Sequence, residues 1–492
     1  MWQSFLIYSP FLKILASRGD FLNVLKQIEN FCQKLHDSAD VSTRFLEKNG
    51  VQIGFVYLKS ITDNLLFVEG IYQPIYDQDD IVDFESLKQA IGSNDLSVGT
   101  SEDVLGKILE GAVCIFLSCD ERFLIVDNLK FDSRAPNEPP TSPVISGPRE
   151  GFVEDIKTNI SLIRRRFASE KLVFKNLYVG EITKTKIVLA YLDGIADDKI
   201  VEQIENKIKK IKIDGVIDSY YLVSLLADRP NSVLRQVGSS EKPDIVAAKM
   251  LEGRVAIVVN GSPIVLTLPF VFLEDLQSSN DYYTNYVYAT FLRFVRMCGL
   301  LIAVLGPGLY IALQLFHYNV LPIKYLITIA DSTQQIPLTP FLEILFITLL
   351  FHILYEVSLR LPSYLGLATS IVGALILGDT GVKAGLISPP TVIVVAIGKI
   401  ALYTLPEENA QINLFQFLFI ILGATLGLLG FLGGVIYLFN YVNGIESYGA
   451  PYLAPFSPFI FSDNKDGLLK VPLKDMKTRP KSFRNEKKER MS

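Results

Sequence analysis

Between residues 297 and 439 this chain carries five apolar stretches, at 297–318, 341–359, 363–378, 386–404 and 414–439. A helix rises 1.5 Å per residue and needs about 20 residues to cross a hydrocarbon layer of about 30 Å. The pattern therefore defines a membrane protein. A long soluble front half precedes the block and a short polar tail follows it. The mean hydropathy of +0.32 is the average of these unlike parts.

The net charge of -5 is unevenly spread. Residues 463–492 hold ten Lys/Arg against five acids and little apolar content after Leu473. Such a segment reads as a solvated, basic, disordered tail. The four cysteines (Cys32, Cys114, Cys119, Cys298) lack ligand spacing and read as buried free thiols of a reducing compartment. The first twenty residues are apolar, but they lack a basic n-region and a small-residue cleavage site. They read as a surface segment or amphipathic helix, so the front half is expected to stay in the cytoplasm.

The front half reads as two α/β subdomains. Helical patterns fall at 21–35, 84–91 and 101–110, and strand patterns at 51–59, 64–73, 111–118 and 122–129. Residues 132–148 hold five prolines, which fix φ and remove ladder donors, so they read as a linker. The second unit is expected to have helices at 149–167, 197–211 and 243–252. Its strands are expected at 172–182, 186–192, 254–259 and 263–269, the last two joined by an Asn260-Gly261 hairpin turn. Arg164, Arg165 and Arg166 suit a helix C-terminus on a solvated face, or a phosphate or lipid-headgroup site. Residues 278–296 are juxtamembrane: four tyrosines suit the headgroup layer, and Arg293 and Arg296 can snorkel. The expected domains are 1–131, the linker 132–148, 149–277, the juxtamembrane 278–296, the transmembrane region 297–460 and the tail 461–492.

A cytoplasmic front half and a basic tail place both ends on one side, which requires an even number of crossings. The expectation is four full spans, with 363–385 a re-entrant or buried half-helix lying against protein or water. Within the second span His352, Glu356 and Arg360 follow i, i+4, i+8 and form one polar stripe, with Glu343 one end further away. Two readings fit. One is a Glu356–Arg360 salt bridge at a helix end. The other is the wall of an ion pathway, with Glu343 and Glu356 attracting cations. Lys399 is a candidate partner for either acid, or it snorkels. In the last span Gly423, Gly427, Gly430 and Gly434 lie on one helical face and suit close helix packing. No phosphate loop, H-E-x-x-H or G-x-S-x-G motif is present, so no enzyme, metal or cofactor is expected.

Several segments together resemble the A subunits of spore germinant receptors, the GerA family. They are 147–166 (GPREGFVEDIKTNISLIRRR), 242–269, Asp281-Tyr282-Tyr283, 336–340 (IPLTP), 360–379 and 447–458 (SYGAPYLAPFSP). The resemblance implies a receptor in the inner membrane of endospores, with two α/β subdomains facing the spore core. It implies a transporter-like B subunit that binds the nutrient, a lipoprotein C subunit, membrane lipid and no nucleic acid as partners. It also implies a homo-oligomer, a pentamer, that forms a ligand-gated cation channel. The alternatives are a non-conducting scaffold and a stage V sporulation AF-type paralogue acting with the dipicolinic acid channel. The family pattern E-L-L-R-E-A-G-x-R-L-P departs here: His352 replaces an acid, Tyr355 an arginine and Val357-Ser358 the Ala-Gly pair, while Asp379 and Lys383 stand at usually uncharged positions. The run Gly147, Pro148, Arg149, Glu150 and Gly151 reads as a coupling hinge or as a plain turn and helix start.

Overall fold

The computed structural model describes residues 19–79, 81–91, 96–99, 101–118, 120, 122–128, 146–334, 336–362, 366, 371, 373, 375–483, 485 and 489–490. The proline-rich 132–145 segment and most of 363–374 lie outside the described residues, as do Cys119 and the first eighteen residues.

The front half contains the same layered plan twice. Strands β1 (Val41–Lys48), β2 (Val51–Leu58), β3 (Leu96–Gly99), β4 (Val113–Leu117) and β5 (Phe123–Val126) form an antiparallel sheet in the order β1-β2-β4-β5-β3. Strands β6 (Leu172–Val179), β7 (Thr185–Leu192), β8 (Gly238–Ser240), β9 (Val255–Val259) and β10 (Val265–Leu268) repeat that topology as β6-β7-β9-β10-β8. Each sheet is a hairpin, a short edge strand and a second hairpin, with helices on both faces. Alternate residues of β2, β4 and β5 therefore meet two cores. One holds α1 (Gly19–Lys34) and α3 (Ser101–Leu109), the other α2 (Phe84–Ile91). In the second unit α4 (Ile156–Arg164) and α7 (Pro243–Leu251) cover one face. The other face takes α5 (Asp198–Lys210) and α6 (Ser219–Leu226). Burial on both faces explains why these strands read as unbroken apolar runs although the sheets are antiparallel.

Several expectations shift. Residues 64–77 are helical instead of extended, because Asp63 caps a turn through Leu65 and Leu66 N–H. Helix α4 starts at its Asp155 cap, not after Pro148; the Asp155 carboxylate accepts from Thr158 N–H at 2.9 Å. The edge strand β1 escaped the periodicity. Its signal was the Asn49-Gly50 pair, both at positive φ, turning β1 into β2.

Against four expected full spans, the described residues hold three helices long and apolar enough to cross: α8 (Tyr286–Phe316), α10 (Pro340–Arg360) and a third spanning Pro406–Asn443. A shorter helix, α9 (Ile323–Thr333), links α8 to α10. The 386–404 stretch gives α11 (Pro389–Leu402), whose fourteen residues extend only about 21 Å. The third long helix, α12 (Asn409–Asn443), is broken at Gly427 (φ 62°, ψ −144°). Around 363–385 the described part ends in a π turn, Ile376–Thr380, and a short helix, Gly381–Lys383.

The tail corrects a second expectation. Its described residues pack on the front half instead of trailing in solvent. Met476 and Phe483 are buried, Arg479 Nε donates to the Leu251 carbonyl at 2.8 Å, and Asp463 accepts from Ser482 N–H and Oγ. Its charges find buried partners, which composition does not show. Front half and tail therefore lie at the same end of the helices.

Candidate coupling and polar-core site

Helix α8 would extend about 46 Å. Its first turns are held in a charged junction. Asp281 accepts from Arg293 Nε at 3.1 Å and from both terminal nitrogens of Arg296 at 2.8 Å. Arg293 also binds Asp466 (3.0 Å) and the Gly467 carbonyl (2.6 Å) of the tail. Neither Arg293 nor Asp281 is exposed, so the expected snorkelling arginine is a buried cross-link. Burial alone would raise the Asp281 carboxyl, but hydrogen bonds and charge from Arg296 and Arg293 hold it below its ordinary value.

A second junction centres on Arg235, in the loop before β8. It pairs with Asp275 at 2.5 Å, with Glu407 and, at 3.5 Å, with Glu408. Six residues earlier Arg229 N–H binds the Gln236 side chain, and three residues earlier Ser232 Oγ lies 2.9 Å from Tyr441 Oη. Glu407 precedes α12 and Tyr441 closes it. A straight helix would place its two ends about 50 Å apart. Both ends instead dock on the 229–236 loop, so α12 is a helical hairpin with its bend at Gly427, beside Phe316 at the far end of α8. A cavity of about 520 Å³ lies in this junction, between the second α/β unit, the 404–408 loop and the tail.

The candidate residues separate in space. Glu343 is buried and accepts from Ser388 N–H (2.5 Å) and Ser388 Oγ (2.6 Å). Glu356 and Arg360 pair with each other at 2.5 Å on an outward face, 58% and 79% exposed. His352 turns inward. Its Nε2 lies 3.1 Å from Lys399 Nζ, which also donates to Asn413 Oδ1 (2.8 Å) and Gln416 Oε1 (2.9 Å). Lys399 thus partners neither acid. Sequence spacing on one helix could not reveal this set, because its members come from α10, α11 and α12.

The glycines have different duties. Gly423 abuts the Gly308 carbonyl of α8, leaving no room for a Cβ, whereas Gly430 and Gly434 face Leu422, Leu426 and Phe419 of their own hairpin. Gly147 (φ 114°) lies against the Tyr283 ring, Glu150 pairs with Arg165 (2.7 Å) and Arg166 (3.1 Å), and Gly151 is buried while Pro148 and Arg149 are partly or fully exposed. Arg164, expected on a solvated face, is buried, with Nε and Nη2 each 2.9 Å from Asp40 of the first unit.

Two layered α/β units joined by a buried ion pair, the second tied by further ion pairs to a bundle of apolar helices, define a membrane protein whose soluble half is tied to its helices. The chain belongs to the Bacillus/Clostridium GerA spore germination protein family, which it matches over residues 29–482. It is 33% identical to spore germination protein KA of Bacillus subtilis (strain 168), over 95% of this chain and 88% of that protein. It is 32% identical to spore germination protein GerQA of Bacillus cereus, over 93% and 92%. The crystal structure of the N-terminal domain of the A subunit of the Bacillus megaterium spore germinant receptor GerK3 is similar at 26% identity and a TM-score of 0.39, covering 50% of this chain and 94% of that one. Family membership ties the chain to spore germination.

Proposed function

We propose that this chain is the A subunit of a nutrient germinant receptor in the spore inner membrane, acting with a transporter-like B subunit and a lipoprotein C subunit. In this reading it performs no catalysis. It turns a change in the soluble half, or in a bound partner, into movement of membrane helices and release of cations. The observation that carries the reading is the anchoring of both ends of α12 to one loop of the second α/β unit, through Arg235 to Glu407 and Glu408 and through Ser232 to Tyr441. A displacement of that loop moves both limbs of the hairpin together. The test is Arg235→Met in spores. Nutrient-triggered cation release should fall at least tenfold while the chain still reaches the inner membrane at normal abundance. Unchanged release would overturn the coupling role.

Conduction by a homo-oligomer of this chain is the leading form of the reading. A non-conducting scaffold is favoured by one observation: the acids expected to line a pathway are already engaged, Glu343 by Ser388 and Glu356 by Arg360. Currents from the purified chain alone in planar bilayers separate the two. Co-purification with B and C subunits separates a receptor from an AF-type paralogue.

A further inference from the structure

Lys399 is buried in the bundle and, among the described residues, no carboxylate pairs with it. A lysine ammonium has three N–H donors and no lone pair. Three acceptors meet it, one per donor: His352 Nε2, Asn413 Oδ1 and Gln416 Oε1, at 3.1, 2.8 and 2.9 Å. The acceptors are themselves oriented. Gln416 Nε2 donates to the Ala303 carbonyl of α8 at 2.7 Å, and Asn413 Nδ2 donates to Asn409 Oδ1 at 2.5 Å. Each amide therefore has its oxygen turned toward Nζ by a bond on its other side. The His352 ring stacks on Phe417 with centroids 5.2 Å apart, which fixes the ring plane.

The surrounding charges are committed elsewhere. Glu343 of α10 is held by Ser388, Glu356 of α10 by Arg360, and Glu407 and Glu408 before α12 by Arg235. The ammonium is thus held by neutral lone pairs, as a coordinated monovalent cation is, and not by an ion pair. Ionisable groups at this depth are costly unless such a shell exists.

We infer that His352, Asn413 and Gln416 form a preorganised site for a small primary-ammonium cation inside the bundle, and that the Lys399 side chain fills it as a tethered occupant. The tether pins α10, α11 and α12 at one point. The imidazole nitrogen matches an N–H donor better than a hard alkali cation, which prefers oxygen ligands. The inference does not depend on the receptor reading, because its test measures folding and not germination.

Lys399→Ala deletes three methylenes and the ammonium, the shape of n-propylammonium. In the purified full-length protein the thermal midpoint should fall by roughly 5 °C, since three oriented acceptors are left unmet. n-Propylammonium chloride should restore at least half of that loss. Tetramethylammonium and sodium chloride at equal ionic strength should not, and the unsubstituted protein should respond equally to all three salts. Equal rescue by tetramethylammonium, or no rescue by propylammonium, overturns the site. Should the alanine variant fail to accumulate, Lys399→Met keeps most of the unbranched apolar stem and removes the ammonium with its charge and donors. A Met variant as stable as the unsubstituted protein also overturns it.

Discussion

The rings of Phe419 and Phe431 lie 5.5 Å apart, centroid to centroid. Twelve residues of unbroken helix would separate their Cα atoms by about 18 Å. The contact exists because the chain reverses at Gly427, and it packs the returning limb of α12 on the outgoing one. At Gly427 the backbone has φ 62° and ψ −144°, and an added Cβ would sit 2.9 Å from the Phe316 ring. Such a conformation is close to glycine-only and costs other residues of order 1–3 kcal/mol, before the clash. Gly427→Ala should therefore lower the thermal midpoint of the purified protein more than Gly433→Ala, which meets open space. Equal effects would mean that the bend does not need glycine.

Two carboxyls of the junction should give opposite pH slopes. Asp281 has its pKa held below the ordinary value by Arg296 and Arg293, against the effect of burial. Its contribution is complete above the unfolded carboxyl pKa and fades as pH falls through the depressed one. Asp275 is the reverse case. Burial raises its pKa, and the Arg235 charge offsets this only in part. The folded state keeps a proton that the unfolded chain has lost, so stability declines as pH rises from the ordinary carboxylate range through the raised value. Urea midpoints measured from pH 3 to 8 should lose the acid-side slope in Asp281→Asn. The decline toward neutral pH should weaken in Asp275→Asn and disappear only when Glu408, the buried carboxyl that titrates together with Asp275, is replaced as well. Unchanged profiles in both would show that these carboxyls titrate as free groups.

The first and second α/β units are joined by a buried pair. Arg164 meets both oxygens of Asp40, which also accept from Ser38 Oγ (2.7 Å) and Ser60 Oγ (3.0 Å). Removing one partner of such a pair leaves an uncompensated buried charge and costs about 3–5 kcal/mol. Arg164→Met should therefore be strongly destabilising in denaturant unfolding. Adding Asp40→Leu should recover part of the loss, because an apolar pair leaves no charge behind. A double variant as unstable as the additive sum would contradict the direct pairing.

What was legible in the chain follows from what spacing can encode. Apolar periodicity marks α1, α2, α3 and most strands, because each buried face repeats within its own element. Asn260-Gly261 marks one hairpin, and Asn49-Gly50 marks another that the polar outer face of β1 concealed. The fold-back of α12 was hidden because hydropathy does not record direction: Gly423, Gly427, Gly430 and Gly434 fit one packing ridge as well as a hairpin. Spacing alone suggests a solvated Arg164, a snorkelling Arg293 and a Lys399 that either pairs with an acid or snorkels, because their partners (Asp40, Asp281 and His352 with Asn413 and Gln416) lie on other elements. The same blindness turned a packed tail into an apparently free one.

The polar stripe of α10 offers a last contrast, between acids thirteen residues apart on one helix. Glu356 and Arg360 form an outward i, i+4 pair. Pairs of that kind contribute about 0.3–0.5 kcal/mol, so Glu356→Gln should leave the thermal midpoint nearly unchanged. Glu343 instead satisfies Ser388 N–H and Oγ at the start of α11, and Ser388 Oγ continues to Thr391 Oγ1 at 2.9 Å. Glu343→Ala strands a buried N–H and a hydroxyl, a loss of about 1–3 kcal/mol. Glu343→Gln keeps an acceptor for Ser388 and should lose less than Glu343→Ala. If Glu356 instead lines a conducting path, Glu356→Gln will change cation release in spores without moving the midpoint. Glu343→Ala should move both, because it loosens the contact that sets α10 against α11.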